Sequence, residues 1–300
     1  MDRNRQIRQD EYRARINRVI DYIESHIDQE ISLEKLAEVA CFSKYHFHRI
    51  FHGLMNETVF AFLQRLRVEK AATVLLANPK TTITQVTYDC GFSGPSAFAR
   101  AFRERFGMSA TQWRKARGSV YDRPAGSIPR PEDSREGGIE GRVTVRRMDE
   151  IHLAYIRYVG QYEGDAALFQ SLYRQLFTWA GPRDLVGDHT RCIVVCHDSI
   201  DITDSNRLRL SAGITVPPGT RASPPVGTMT LSGGKYVRVR FSLAPDEYYR
   251  AWKWVYAVWL PESGYQPGDG PCFEDYPDVH KKGGAFGKTT VDICVPVVPL

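Results

Sequence analysis

A chain of 300 residues, 42% hydrophobic and 25% charged, has ordinary globular composition and the length of two domains. No stretch reaches the roughly 18 uninterrupted apolar residues of a membrane helix. Met1-Asp2-Arg3-Asn4-Arg5-Gln6 opens no apolar leader, so a cytoplasmic protein with no membrane partner is expected. The net charge of +5 is uneven: residues 1–118 carry 19 Lys+Arg against 13 Asp+Glu, residues 119–142 carry 4 against 5, and residues 143–300 carry 17 of each. A basic end on a neutral remainder fits a nucleic-acid module joined to something else, or simply a well-solvated surface.

The first third reads as helices. Ile16, Val19, Ile20, Ile23 and Ile27 repeat at helical spacing. Ser32 is placed to cap a helix over Leu33-Glu34-Lys35-Leu36-Ala37, and Ser43 a second one reaching Leu54. Val59, Phe62, Leu63 and Leu66 start a longer helix that Asn78-Pro79 ends. A helix over Ile83 to Cys90 stops at Gly91, a left-handed cap, and Pro95 opens the next, which runs to about Phe106. Ala110 to Ala116 adds a last turn or two. Phe47-His48-Arg49-Ile50-Phe51 recurs 51 residues later as Phe98-Ala99-Arg100-Ala101-Phe102, and each copy follows a Phe-Ser pair and a short helix. Short helix, turn and second helix, twice, predict an all-α bipartite helix-turn-helix domain over residues 1–118.

Residues 119–142 hold three prolines and four glycines with few apolar anchors and read as a flexible linker. Beyond it, over residues 143–300, Tyr155-Ile156-Arg157 and Tyr236-Val237-Arg238 begin strands 81 residues apart. Each is followed by a helix, ending near Trp179 or Trp259. Two strand candidates follow each helix: Cys192–His197 and Leu208–Val216, then Cys272–Tyr276 and Val291–Val297. This predicts an α+β domain of two βαββ halves with one antiparallel sheet and both helices on one face. A pocket would lie on the opposite face or in the groove between halves. Cys192 and Cys196 are four apart with no partner pair at metal spacing, so two buried thiols are expected, with a zinc site or redox pair as the alternatives.

On the helix from Lys44, Phe47, Ile50, Phe51 and Leu54 form a core stripe, and Tyr45, His48, Arg49 and His52 form the opposite face. The matching helix buries Phe98, Ala101 and Phe102 and exposes Ser96, Ala99, Arg100 and Arg103. An arginine on a helix in the major groove can bond guanine bidentately. Arg103, one turn beyond Arg100, suits a phosphate. The i, i+4 spacing of His48 and His52 also permits a metal, but no third ligand is nearby, so no metal and no cofactor is expected.

Ser32-Leu33-Glu34-Lys35-Leu36-Ala37, the run Phe42 to Phe51, and Gly91-Phe92-Ser93 with Phe98–Phe102, Phe106–Ser109 and Trp113-Arg114 together resemble the AraC/XylS DNA-binding domain, over about residues 10–117. The resemblance implies two recognition helices in successive major grooves of double-stranded DNA. It makes Lys44, Tyr45, His48, Arg49, Ser96, Arg100 and Arg103 the DNA-binding candidates. Three positions depart from the family pattern: Cys41 replaces a glycine, Ala110 replaces a proline, and Pro95 stands where a polar contact is common.

Tyr158-Val159-Gly160-Gln161-Tyr162, Gly233-Gly234-Lys235-Tyr236, the run Trp259 to Tyr265, Phe273-Glu274-Asp275-Tyr276 and Asp292–Val297 resemble the GyrI-like effector-binding family. Phe241-Ser242-Leu243-Ala244-Pro245 replaces the turn that usually follows the second of these. The resemblance implies an aromatic pocket with a glutamate at Glu274. Candidate walls are Tyr155, Tyr162, Trp179, Trp259, Tyr265, Phe273 and Tyr276. A carboxylate among rings suits an apolar or aromatic cation. The domain order resembles the right-origin-binding subgroup and implies a ligand-responsive transcription regulator, with RNA polymerase as a further partner if it activates. The rivals are a hydrolase of reactive compounds, as in some stand-alone GyrI-like proteins, and a protein-binding inhibitor.

Overall fold

The computed structural model describes residues 3–78, 80–116, 141–277 and 288–300, with the side chains of residues 3–5 and Tyr45 excepted. Pro79 and residues 119–140 of the expected linker lie outside that set. The chain divides into two compact units, Met1–Val120 and Tyr121–Leu300.

The first unit is helical: α1 (Arg3–Ser25), α2 (Leu33–Val39), α3 (Lys44–Met55), α4 (Val59–Ala77), α5 (Ile83–Asp89), α6 (Pro95–Phe106) and α7 (Ala110–Lys115). Side-chain caps start four of them. Ser32, Thr58, Thr82 and Ser109 each accept from a backbone amide of the first turn, and Ser109 completes a capping box with Gln112. Ser43 is the N-cap residue of α3 but makes no side-chain bond there. Ala110, in place of the family's proline, sits at the first position of α7, where either residue fits because that amide has no helical partner.

Helix α4 is the axis of this unit. Its Arg67 donates from Nε to the carbonyl of Ile27 at 2.8 Å, tying it to the turn after α1. Its Glu69 accepts from Arg105 of α6 at 3.1 Å, and Trp113 of α7 donates to the carbonyl of Ala72. Arg65 and Glu57 are buried with Glu69 and pair at 2.7 Å; Arg65 also reaches Glu69 at 3.2 Å. Two carboxylates and two guanidiniums thus neutralise one another beneath the second helix pair, where a lone charge would be costly.

Both helix-turn-helix turns pass through a left-handed residue, Cys41 at φ 54° and Gly91 at φ 76°. These positions are 50 residues apart, whereas the helices that follow are 51 apart. The second turn holds one residue more, Gly94, which is the N-cap of α6. At Gly91 a Cβ would lie 2.3 Å from the carbonyl oxygen of Ile27. Cys41 carries its Cβ in the same conformation, at the usual left-handed cost of about 1–2 kcal/mol.

The second unit is one antiparallel sheet in the order β1 (Arg142–Met148), β6 (Gly234–Leu243), β9 (Thr289–Pro299), β8 (Cys272–Tyr276), β3 (Cys192–Cys196), β4 (Arg209–Thr215), β2 (Ile151–Val159), β5 (Gly227–Leu231); β7 (Tyr265–Pro267) pairs with β9 alone. Two βαββ halves are present, with three further strands, β1, β5 and β7, that the alternation did not reveal. Arg142, the last residue of the expected linker, already belongs to β1. Tyr155 lies inside β2 and does not begin it.

Helix α8 (Ala166–Ala180) packs Leu172, Leu176 and Ala180 on Ala154, Val194, Leu210 and Ala212. Helix α9 starts as Tyr248–Lys253, opens into a π turn over Trp254–Trp259 and closes as Leu260–Glu262. Pro261 lacks an amide and crowds the carbonyl four residues back, which accounts for the loosened turn. It packs Ala251, Val255 and Leu260 on Val237, Val239, Ile293 and Val295. Register places these residues on one face, so both helices share it.

Among the described residues, the opposite face closes over an apolar core. Strands β1 and β2, at or near opposite edges, are joined by Asp149-Glu150 alone, and β5 and β6 by Ser232-Gly233. Two residues span only about 7 Å. The sheet therefore curls until its edges meet, and a Cβ on Gly233 would lie 2.9 Å from the Met148 carbonyl oxygen. The enclosed core holds Leu153, Ile193, Val195, Tyr236, Phe273 and Cys294.

Gly91→Ala should lower stability by about 2 kcal/mol or more, because left-handed strain adds to a backbone collision. Cys41→Gly should leave stability unchanged or raise it by up to about 1 kcal/mol, relief of strain offsetting glycine's extra entropy. Urea unfolding followed by helical circular dichroism checks both; equal effects at the two turns would contradict this account.

Candidate functional site

The first site is the outward face of α3 and α6. Phe47 and Phe51 are fully buried, and Phe98, Ala101 and Phe102 mirror them on α6. This burial turns His48, Arg49 and His52 outward on α3 and Ser96, Ala99, Arg100 and Arg103 outward on α6. Leu54, expected in the core stripe, is 43% exposed; Met55 packs in its place because α3 ends at Asn56, whose left-handed turn redirects the chain.

The arginines of this unit fall into two groups. Arg15, Arg65, Arg67, Arg105 and Arg114 all bond to carboxylates or carbonyls. Among the described residues, the guanidiniums of Arg49, Arg100 and Arg103, like those of Arg8, Arg13 and Arg18 on α1, make no hydrogen bond, ion pair or ring contact. Lys44 pairs with Glu34 of α2, and both side chains are more than half exposed. Such a pair is worth little and yields readily to a competing anion. The side chain of Tyr45 lies outside the described set. His48 and His52 are exposed, and among the described residues no three His, Cys, Asp or Glu side chains cluster to hold a metal.

The second site lies between α8 and α9, above the pairing of β3 with β8. Three rows of facing residues make its floor: Cys196 opposite Cys272, Val194 opposite Glu274, and Cys192 opposite Tyr276. Strand alternation turns all six toward the helices. Glu274 is 7% exposed. Its Oε1 accepts from Trp252 Nε1 at 2.7 Å and its Oε2 from the Tyr276 hydroxyl at 2.6 Å. Tyr276 is in turn hydrogen-bonded to Tyr248.

Each helix carries aromatics at i, i+4 and i+8: Phe169, Tyr173 and Phe177 on α8, and Tyr248, Trp252 and Tyr256 on α9. All six are partly exposed. The rings of Trp252 and Tyr256 stack with centroids 6.2 Å apart. Tyr162 joins them, meeting Phe169 edge to face.

Burial pushes the Glu274 carboxyl above the usual range, against the opposing effect of its two donors. Burial also lifts the phenols of Tyr162, Tyr173 and Tyr276, so these rings stay neutral and offer faces and hydroxyls. The result is an aromatic cleft with a carboxyl at its floor, suited to a flat cation.

Of the wall residues expected from sequence, the structure brings Tyr162 and Tyr276 to Glu274. Tyr155 and Phe273 are corrections: both point into the enclosed core, because an odd step along β2 or β8 reverses the face. Trp179 sits in the last turn of α8, where it bonds Ser223 and lies under Arg183. Trp259 and Tyr265 stack on one another, with Lys235 over the Tyr265 ring. Tyr173, Tyr248, Trp252 and Tyr256 were missed; their signal was the i+4 spacing of rings.

A helix-turn-helix unit with two outward arginine faces, joined to a two-half sheet domain with an aromatic cleft, defines a class of proteins that couple a DNA-binding fold to a ligand-binding fold. Family comparison agrees. Residues 142–298 match the GyrI-like small molecule binding domain, and residues 36–116 match a helix-turn-helix domain of AraC type. The chain belongs to the GyrI-like family and carries an AraC-type helix-turn-helix domain ahead of that domain. It is similar to the probable transcriptional regulator LumQ of Photobacterium leiognathi, 36% identical over 101 residues, covering 33% of this chain and 40% of that protein. It is also similar to the right origin-binding protein of Escherichia coli K12, 27% identical over 101 residues, covering 34% and 35%. The chain thus spans well under half the length of these relatives. Among solved structures, the DNA-binding domain of AdpA in complex with a target DNA is 27% identical, covers 36% of this chain and 96% of that one, and has a TM-score of 0.33. Among the described residues, no helix is long and apolar enough to cross a membrane.

The raised Glu274 carboxyl predicts a pH signature in the free protein. A carboxyl whose folded pKa exceeds its unfolded value costs stability as pH rises from the ordinary carboxylate range, near pH 4.3 for glutamate, to the folded value, and nothing further above it. Glu274→Gln does not titrate. Its stability relative to wild type should therefore rise across that window and level off; urea unfolding at a series of pH values measures it, and a flat difference would mean the carboxyl is not desolvated.

Proposed function

We propose that this protein is a transcription regulator that binds double-stranded DNA through α3 and α6 and is controlled by a small aromatic cation in the cleft above Glu274. The observation that supports the DNA half is the repeat itself: α3 and α6 each turn an exposed arginine face outward, Arg49 on one and Arg100 with Arg103 on the other, and these guanidiniums have no partner among the described residues. Arg49 and Arg100 then read bases from the two recognition helices, with Tyr45, His48 and Ser96 beside them. Lys44 and Arg103 neutralise phosphates. The effector half rests on a single buried carboxyl set among rings. RNA polymerase is the further partner of an activating regulator. Sensing is favoured over hydrolysis because the Glu274 oxygens are already engaged by Trp252 and Tyr276, an arrangement that fixes a charge in place.

Arg49→Ala and Arg100→Ala should each relax base preference, at two different parts of the bound site, with a loss of about 1–3 kcal/mol at the affected base. Arg103→Ala should weaken all sequences alike and reduce the salt dependence of binding by about one counterion. Selection of bound DNA from a random pool, followed by titration at several salt concentrations, reads both effects. An unchanged base preference in Arg49→Ala would remove α3 from the reading surface.

For the cleft, a flat organic cation and a neutral molecule of the same shape are titrated by calorimetry. The cation should bind more tightly as pH rises through the raised Glu274 value, because only the ionised carboxyl attracts it. Glu274→Gln should weaken the cation at least tenfold and leave the neutral molecule within about twofold, a difference of about 1.4 kcal/mol. Equal losses would place the effector elsewhere, and appearance of a cleaved product by mass detection would make the protein a hydrolase.

A further inference from the structure

Two cysteines far apart in sequence face one another at the seam of the cleft. Cys196 ends β3, Cys272 begins β8, and the antiparallel register sets them directly opposite. Both are unoxidised and partly exposed. Cys196 packs with the first half's helix-side cluster and Cys272 with the second's. The Cys272 sulfur lies 3.0 Å from the Tyr256 hydroxyl on the wall of the cleft.

The hydrogen-bonding phase of β3 decides what can join these sulfurs. Thr215 donates to the carbonyl of Arg191 and His197 to that of Arg209, so residues 191 to 197 in odd steps direct their amides and carbonyls at β4. The even residues, Cys196 among them, therefore turn theirs toward β8. Cys196 and Cys272 form a hydrogen-bonded pair, with Cα atoms about 5.5 Å apart. The Cβ atoms of such a wide pair lie near 5–5.5 Å. A disulfide needs Cβ atoms about 3.5–4.5 Å apart. A direct S–S bond would have to draw the strands together in mid-sheet, whereas one atom inserted between the sulfurs takes up the difference without moving them.

We propose that Cys196 and Cys272 are a dithiol site for a thiophilic electrophile of the aryl trivalent arsenic class, bound with its ring among the aromatic walls. The reaction is ligand exchange without change of oxidation state. In an arylarsonous acid the arsenic carries two hydroxyl groups. Two As–O bonds and two S–H bonds break, two As–S bonds form, and each thiol proton leaves with a hydroxide as water. The arsenic ends bonded to one aryl carbon and two sulfurs. Burial raises the Cys272 thiol to about 11 and holds the Cys196 thiol well above its ordinary value, so both are protonated at neutral pH. The exchange balances from the protonated pair, since each proton leaves with a hydroxyl group as water; the same raised pKa slows every reaction that passes through the thiolate, oxidation included. The soft sulfur donors select such a centre over hard cations. Taking up Cys272 also changes the sulfur that meets the Tyr256 hydroxyl, so occupancy is felt at the wall beside Trp252.

This proposal rests on the cleft being open to small molecules, and its test separates the two ideas. The full-length protein is mixed with phenylarsine oxide, which hydrates to the arsonous acid, and native mass spectrometry counts the adducts. One phenylarsenic group per chain is expected, lost to a dithiol competitor but retained against excess monothiol. Cys196→Ser and Cys272→Ser should each weaken retention about a hundredfold or more, since the remaining sulfur binds without the intramolecular second bond. Cys41→Ser and Cys90→Ser, both in the helical unit, should retain wild-type behaviour, and tryptophan fluorescence should change on binding only where both sulfurs of the pair are present. Release by monothiol, or equal retention in all four variants, would overturn the dithiol site. Binding of phenylarsine oxide together with failure of the organic cation would leave the dithiol standing and remove only the cationic effector.

Discussion

The pairing of β3 with β8 is the contact on which the ligand-binding unit depends. It is the one strand pair that joins the two βαββ halves across the middle of the sheet. Because five residues of each strand are in register, the join sets α8 and α9 side by side on one face and makes the cleft between them. A slip of one residue would turn Glu274 into the enclosed core and bring Phe273 and Asp275 to the cleft floor. The ion pair between partly exposed Arg191 and buried Asp275 on the inner face resists that slip, since Asp275 would lose its 2.6 Å partner. The same register that positions a carboxyl for a ligand is thus held by a second carboxyl that faces the other way.

In the helical unit the corresponding constraint is α4. The proposed reading of one DNA by α3 and α6 requires that the separation of the two helices be fixed. Arg67 fastens α4 to the first half through a backbone carbonyl. Glu69, Arg105 and Trp113 fasten it to the second. Hydrophobic packing supplies most of the favourable energy, but it is non-directional. The buried polar contacts fix the rotation of α6 about α4 and hence the direction in which Arg100 points.

The two units use charge differently. The outward face of α3 and α6 leaves arginines in water, where they cost nothing to maintain and can exchange solvent for phosphate or base edges. The cleft holds a carboxyl out of water, which lifts its proton affinity and makes its charge sensitive to what enters. Neutral phenols around it, themselves raised by burial, add polar edges without adding charge. Under the proposed function, a cation that enters would replace the lost hydration of Glu274, and its binding and the ionisation of the carboxyl would reinforce one another.

The sequence by itself determined the helical unit almost completely. Its contacts are local, its helices carry one apolar stripe each, and the repeat of Phe47–Phe51 in Phe98–Phe102 marks both outward faces. It also determined that a sheet domain of two similar halves follows and that Glu274 lies among rings. Tertiary structure decided which rings. Alternation sends Tyr155 and Phe273 into the core, a fact invisible without knowing which face the helices cover. The ring triplets of α8 and α9 were legible as i+4 spacing but are indistinguishable in sequence from an ordinary core stripe. The meeting of Cys196 with Cys272, 76 positions apart, and of Trp252 with Glu274, depends on strand order and register. Those are set by long-range hydrogen bonding between strands, for which a linear pattern of residues carries no coordinate.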